Sequence, residues 1–362
     1  MSDNIPNKNS VGHYFEDFHL HQKFVHGSPR TLSGGDVSLY MALTGSRHLL
    51  YSSTPAARSM GLASRPVEEL LVYHIAFAKT VPDISVNVMA NLGTADLRFL
   101  LPVYPGDTVR TESTIIGLDE NYGEIFGTVY VRSVGYNQAN QPVITWIRWL
   151  TVRKRELESF LSLEDAALPQ LPVLVSPEHL PIPAGLSAIK FDTRFTGSPF
   201  LWEDYVIDER IDHIDRITLD ESDHNFSTRL YQNSMRLRFD DHLMKPNRAG
   251  RRFICPSHLL SVCRALTHNG LANALCIAAI NGITHSNPTF AGETIYAFTE
   301  VLDCWELPGR KDLGALRLRT FGVRNFDSTE IETARCDLEE RVRYHEHVVL
   351  DMDYTVLMPR HR

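Results

Sequence analysis

Two rhythms of apolar and polar residues run along this chain. Residues 67–80, VEELLVYHIAFAKT, place Val67, Leu70, Leu71, His74, Ile75 and Ala78 on one stripe at helical spacing. The segment is apolar nearly all round, which predicts a buried central helix rather than a surface one. A second such helix is predicted over His258–Asn269, with Gly270 as its cap. Each is preceded by a shorter, more polar helix and a turn. The first short helix should start at Asp36, pass Tyr40 and Leu43 and stop at Gly45; the second should start at Asp223. After each long helix the period changes to two. PGDTVRTESTIIGL, EIFGTVYVRSVGYNQ and PVITWIRWLTVRKR read as β-branched and aromatic strands, the last two joined by QANQ. ETIYAFTEVL, ALRLRTFGV and VVLDMDYTVLM repeat the pattern later.

The two passages are one plan written twice. YFEDF (14–18) matches LWEDY (201–205), and His26, Thr31 and Asp36 match His213, Thr218 and Asp223, each pair 187 residues apart. PVYPGDTV (102–109) matches PTFAGETI (288–295) at a separation of 186, and His74 and His258 lie inside the two long helices. An ordered series at a nearly constant offset predicts two homologous domains. The expected division is a flexible tail at 1–12, a first domain at 13–158, an extended proline-rich connection at 159–199 and a second domain at 200–362. The fold class expected is α+β, each half a long helix wrapped by an antiparallel sheet.

Composition narrows the function. With 43% hydrophobic and 22% charged residues the chain is an ordinary globular one, and 362 residues suit two domains. A net charge of −8 without a long basic run disfavours nucleic-acid or anionic-membrane partners. The polar start, MSDNIPNKNS, does not read as a secretory signal, and no stretch has the ~18 apolar residues of a membrane span. Five cysteines, an odd number without a CxxC, point to buried free thiols in a cytoplasmic setting.

Specific segments then carry a resemblance. LTGSRHLLYSSTPAARSMGL is similar to the hydratase motif of the MaoC-like family, and PVYPGDTV to its β-turn. VYHIAFAKTVPDISVNVMANLG, RWLTVRKRE, STRLYQN, NGLANA and LPGRKDLGALRLRT resemble the mesaconyl-CoA hydratases, also called β-methylmalyl-CoA dehydratases, over roughly residues 12–360. The resemblance implies a tandem (double) hotdog fold. It implies reversible addition of water to a branched, carboxylate-bearing enoyl-CoA, a hydro-lyase reaction. The CoA thioester is then the substrate and no cofactor or metal is needed. A monomer of two hotdogs and a homodimer are both compatible with it.

In that family an Asp, and a His five residues on, do the acid–base work in the turn between the short and long helices. Carried over here, those positions fall on Ser46 and Tyr51 in the first half and on Asn233 and Arg238 in the second. Asparagine does not titrate and arginine stays protonated, so neither pair is an ordinary acid–base dyad. The second half is nevertheless where catalysis is expected, with Asn233, Arg238, His258 and Asp223 as its candidates. Arg238 would pair with a substrate carboxylate, and His258 and Asp223 would be the titratable pair. Gln232, Ser257, Tyr51, His74 and Arg148 are the expected substrate-binding residues, Arg148 for CoA phosphates. Pro256 and Ser257 stand where relatives have glycines at the start of the long helix, and proline supplies no N–H there.

Plainer readings stand beside these. His74 and His258 also read as core histidines, Asp36 and Asp223 as helix caps, and Arg148 as a surface residue. His345 and His347 read as a solvated loop, and Asp351 and Asp353 as exposed alternates on a strand. The altered dyad keeps two alternatives open: a relative acting on another acyl thioester in a biosynthetic pathway, and a non-catalytic acyl-CoA-binding protein.

Overall fold

A computed structural model describes residues 11–156, 168–246, 250–338 and 342–361. The expected tail at 1–12 lies almost wholly outside the described residues, as does 157–167 of the expected connection. In the first half the strands are β1 (Lys23–Val25), β2 (Arg30–Thr31), β3 (Val88–Phe99), β4 (Thr108–Asp119), β5 (Phe126–Tyr136) and β6 (Pro142–Arg153). In the second they are β7 (Arg210–Thr218), β8 (Cys276–Thr284), β9 (Thr294–Glu306), β10 (Leu313–Arg324), β11 (Arg335–Asp337), β12 (Val342–Tyr344) and β13 (Val348–Pro359). The first-half helices are α1 (Gly34–Thr44), α2 (Leu49–Ser52), α3 (Thr54–Ser59) and α4 (Glu69–Lys79). The second-half helices are α5 (Glu221–Tyr231), α6 (Arg236–Phe239), α7 (Asp241–Met244), α8 (Pro256–Leu266) and α9 (His268–Leu271).

The long helices are α4 and α8, and both are buried along nearly their whole length. The second is shorter than predicted. It starts at Pro256, whose fixed φ suits a first helical turn, and α9 breaks at Asn269 and the left-handed Gly270. The short helices begin two residues earlier than expected, at Gly34 and Glu221. Ser33 and Asp220 are the N-caps, and Asp36 and Asp223 reach back from the third position to the cap N–H, at 2.7 and 3.0 Å.

The strands run β1-β4-β5-β6-β3-β8-β13-β10-β9-β7 in one antiparallel sheet, with β2 added to β4. The seam between halves is β3 against β8, two strands that the sequence pattern did not announce, pairing Leu97 with Ile280 and Arg98 with Ala279. Beneath the seam the helices meet. His74 Nε2 donates to Ser261 Oγ at 2.8 Å; Ser261 gives its own proton to the Ser257 carbonyl, which fixes that direction. This is the tandem helix-in-sheet arrangement that the resemblance implies. From residue 168 onward, Val175, Leu180, Leu186 and Ala188 of the connection pack with Leu50, Tyr51 and Ala57 of α2–α3 and with Ala279 and Leu357 of the second-half strands.

Two expectations about exposure fail. β13 is buried at every position, so Asp351 and Asp353 are not exposed alternates. Asp353 accepts from Arg317 and Asn281 at 2.7 Å each, and Asp351 from Arg335 and Tyr344 at 2.9 Å, the latter two from the β11–β12 ribbon. A central strand has no free face once such a ribbon lies over its outer side. Among the cysteines Cys255, Cys263 and Cys276 are buried, but Cys336 is exposed.

The repeat extends to devices that the sequence comparison missed. His26 Nε2 meets Ser113 Oγ, which meets Ser133 Oγ, at 2.7 Å each; His213 meets Thr299 at 2.7 Å, and Thr299 meets Thr320 at 2.8 Å. Each chain of polar atoms runs from an end strand of the sheet, or the residue just after it, across the next two strands inward. Likewise Phe15 covers Gly127 and Trp202 covers Gly314, where an added Cβ would lie 2.3 and 2.4 Å from the ring. Gly127→Ala should therefore destabilise by about 1–3 kcal/mol in a denaturant melt, and by clearly less in a Phe15→Ala background. Equal losses in the two backgrounds would refute the ring contact as the cause.

Candidate functional site

In the second half α5 ends at Tyr231, and Gln232 takes a left-handed conformation with φ 57°. The chain then turns back through Asn233, whose Oδ1 accepts the Met235 N–H at 3.1 Å. This turn carries α6 to the start of α8. His224 joins the two: the Cys255 N–H donates to its Nδ1 at 3.1 Å, so its Nε2 bears the proton and donates to the Arg238 carbonyl at 2.8 Å. The Arg238 side chain donates from Nη1 to the Ile254 carbonyl at 3.0 Å, while its buried Nε has no partner among the described residues. Arg238 thereby faces a cleft of about 180 Å³ lined by Phe253, Ile254, Pro256, Leu259, His285, Asn287, Pro288 and Thr289. The Thr289 hydroxyl is a second buried polar atom in this cleft without a partner among the described residues. His285 is accessible within the cleft, and the surrounding protein and the Arg238 charge both lower its pKa, which favours neutral imidazole at pH 7.

The residues expected from sequence are only partly brought together. Arg238 lines this cleft. Asn233 is buried beside it as a turn acceptor. Gln232 is exposed and accepts from Lys79 Nζ at 2.5 Å, bridging the ends of α5 and α4. Ser257 gives its carbonyl to Ser261. Asp223 is at the opposite end of α5, held as a helix cap, so it makes no pair with His258. His258 is fully buried, with neither ring nitrogen partnered among the described residues; burial pulls its pKa down to about 4. His74 is likewise held neutral, lowered to about 3 by burial and by His258. Arg148 is interior, not a surface residue. It donates to Thr80 at 2.9 Å and Ser85 at 3.1 Å and stacks over Phe77, so it cannot reach phosphates outside. His345 and His347 pack with Phe326, and among the described residues no group of three or more His, Cys, Asp or Glu side chains could hold a metal.

The first half has a counterpart at the same place in its own fold. Ser46 and Tyr51, at the dyad positions, each donate to a glutamate at the start of α4: Ser46 Oγ to Glu68 at 2.6 Å and Tyr51 Oη to Glu69 at 2.5 Å. Glu69 lines a narrow cleft of about 30 Å³ with Val67, Val72, Phe99, Leu101, Cys276 and Ile277. Burial pushes the Glu69 carboxyl from the usual 4.5 up to about 8, against the opposing hydrogen bond from Tyr51. Glu68 is also raised by burial, with Ser46 and Arg264 opposing. The two clefts are well separated, because Cys276 opens β8 in one and His285 follows its last residue in the other, roughly 30 Å along a strand.

Sequence reasoning missed Glu68, Glu69 and His285. A usable signal was the repeat itself: Glu69 stands 187 residues before Pro256, and His285 186 after Phe99, so the two copies differ in chemistry where each cleft is lined.

A model of the MaoC like domain matches residues 17–137. The chain is 48% identical over 353 residues to β-methylmalyl-CoA dehydratase of Chloroflexus aurantiacus, covering 98% of this chain and 99% of that protein. It is 45% identical over 355 residues to mesaconyl-CoA hydratase of Cereibacter sphaeroides, covering 98% and 100%. The crystal structure of a MaoC domain protein dehydratase from Chloroflexus aurantiacus superposes with a TM-score of 0.93 at 48% identity, covering 99% of this chain and all of that one. A Mycobacterium tuberculosis protein with a double hotdog fold gives a TM-score of 0.77 at 18% identity, covering 97% and 99%.

The raised carboxyl has a consequence for stability. Between pH 4.5 and about 8 the folded protein keeps a proton on Glu69 that the unfolded chain releases, so this residue's contribution to stability falls as pH rises through that window. Glu69→Gln has no such titration. Its melting temperature relative to wild type should climb from pH 5 to pH 8 and then level off, and a pH-independent difference would contradict the assignment.

Proposed function

This chain belongs to the MaoC-like dehydratase family, and from that premise we propose that it is a hydro-lyase which reversibly adds water to a mesaconyl-CoA-type thioester, giving a 2-methylmalyl-CoA-type product. Near-full-length similarity to two relatives with those names supports the substrate class. What carries the reading is the match between such a substrate, an enoyl thioester with a second carboxylate, and the second-half cleft. There Arg238 presents a guanidinium, its Nε without a partner among the described residues, above an apolar floor of Phe253, Ile254 and Leu259. A guanidinium is the preferred partner for a carboxylate because its fork meets both oxygens.

In this reading Arg238 orients the substrate carboxylate. Neutral His285 is the titratable group in reach of it and takes the proton of the attacking water as the water oxygen bonds to the β-carbon. The imidazolium so formed returns a proton to the α-carbon, and the ring ends as it began. Asn287 and Thr289 are placed to hold water. Asn233 supports the turn that presents Arg238, and Gln232, Ser257 and His258 shape the surrounding scaffold. Pro256 leaves the start of α8 without one N–H for the thioester oxygen. No cofactor enters this scheme, and a cytoplasmic setting fits a CoA-linked substrate. No helix among the described residues is long and apolar enough to cross a membrane.

The altered dyad favours a second reading, action on a different acyl thioester or binding without turnover. One assay separates them. Purified protein should lower the conjugated enoyl-thioester absorbance of mesaconyl-CoA until equilibrium is reached. Turnover confined to other thioesters would select the second reading, and binding without any turnover would remove the hydro-lyase. Arg238→Lys keeps the charge but loses the fork, so KM for mesaconyl-CoA should rise about tenfold or more with kcat little changed. An unaltered KM would take Arg238 out of substrate recognition.

A further inference from the structure

We propose that the first-half cleft is a second hydration centre, in which Glu69 transfers the protons and Tyr51 positions it, for enoyl-CoA thioesters whose acyl group carries no carboxylate. The proposal rests on the hydration chemistry read for the second half, and it adds a site and a substrate class to it.

Four observations lead there. The family's dyad positions in this half, Ser46 and Tyr51, do not titrate near neutrality, but each hands a hydroxyl hydrogen bond to a glutamate at the start of α4, and Tyr51's partner Glu69 is raised by burial to about 8. The acid–base function has been moved from the turn to the start of the long helix rather than lost. Glu69 stands at the helix position that Pro256 holds beside the other cleft, so it faces the equivalent space. The enclosed part of that space, about 30 Å³, has room for a water or two beside the carboxyl. Leading outward, Leu62, Val67, Val72, Leu101, Pro181 and Pro183 give it an apolar wall, and no cation lines it among the described residues.

That lining decides the substrate. An acyl group with its own carboxylate would leave water without a counter-charge here, whereas Arg238 offers one in the second half. An uncharged acyl chain loses nothing. The step balances on Glu69 alone. One carboxyl oxygen gives its proton to the α-carbon as the π pair of the double bond moves there. The other oxygen takes a proton from the water whose oxygen bonds to the β-carbon. The carboxyl ends neutral, as it began. The neutral form is also the resting form at pH 7, because burial holds the pKa near 8.

The test uses the full-length protein with crotonyl-CoA as the uncharged probe and mesaconyl-CoA as the charged one. Wild type should hydrate both. Glu69→Gln should lose on the order of 10²–10⁴-fold in kcat on crotonyl-CoA while staying within about twofold on mesaconyl-CoA. Arg238→Lys should show the opposite selectivity. Asp223→Asn, a helix cap, should leave both activities unchanged. Tyr51→Phe removes a hydrogen bond that lowers the Glu69 pKa, so the high-pH limb of the crotonyl-CoA profile should move upward, which loss of packing alone would not produce. If Glu69→Gln does not fold, Glu69→Asp replaces it, with at least about a tenfold loss expected on crotonyl-CoA alone. Crotonyl-CoA hydration that survives Glu69→Gln, or is absent in wild type, overturns the second centre and leaves the mesaconyl-CoA reading standing. Loss of both activities in a folded Glu69→Gln variant also overturns it, since a single shared site would then do all the work.

Discussion

Everything in this molecule depends on burying two apolar helices at once. A helix that is apolar all round cannot be covered by one face of a small sheet, because half of its circumference is left over. Here the short helices take up most of that remainder, α5 lying against both long helices and α1 against α8. α4 and α8 touch through the His74–Ser261 hydrogen bond, and β3 pairs with β8 above them. The seam makes one sheet out of two, and it removes from water the two strand edges that each half would otherwise expose. Inside that seam polar atoms must find partners or be left unmade, and His258 shows the second outcome.

The same geometry sets two clefts at opposite ends of the helix pair, one at each helix start. Their backbones are equivalent and their chemistry is not. At Glu69 two effects oppose: the partial positive charge of a helix N-terminus favours carboxylate by ~0.3–1 kcal/mol, which is less than one pKa unit. Desolvation moves the carboxyl from 4.5 to about 8, so burial wins clearly. At Pro256 there is no acid and no N–H, and the charge comes instead from Arg238, five residues beyond Asn233 on the preceding turn. One half thus presents a neutral acid and the other a cation, from the same fold. Duplication permits this, because only one copy has to keep any given task.

The sequence alone carried the plan. A period of 3.6 over 67–80, a period of two in the strands and an offset of about 187 between copies are local or self-similar signals, and they located the buried helices, the strands on either side of the seam pair and the doubled fold. By the resemblance, the positions of the family's Asp and His fall on Ser46 and Tyr51 in one half and on Asn233 and Arg238 in the other. Tertiary structure decided which titratable groups line the two clefts. Glu69 is an unremarkable helix-start glutamate until Tyr51 and the cleft surround it, and His285 is a loop histidine until Arg238 faces it. Arg148 reads as a surface charge until Thr80, Ser85 and Phe77 enclose it; Asp351 reads as exposed until Arg335 and Tyr344 come over it, and Asp353 until Arg317 and Asn281 hold it. The physical reason is common to all of these. Periodicity depends on neighbours within a few residues, whereas desolvation and hydrogen-bond partnership depend on residues tens to hundreds of positions away, and those are fixed only when the chain closes on itself.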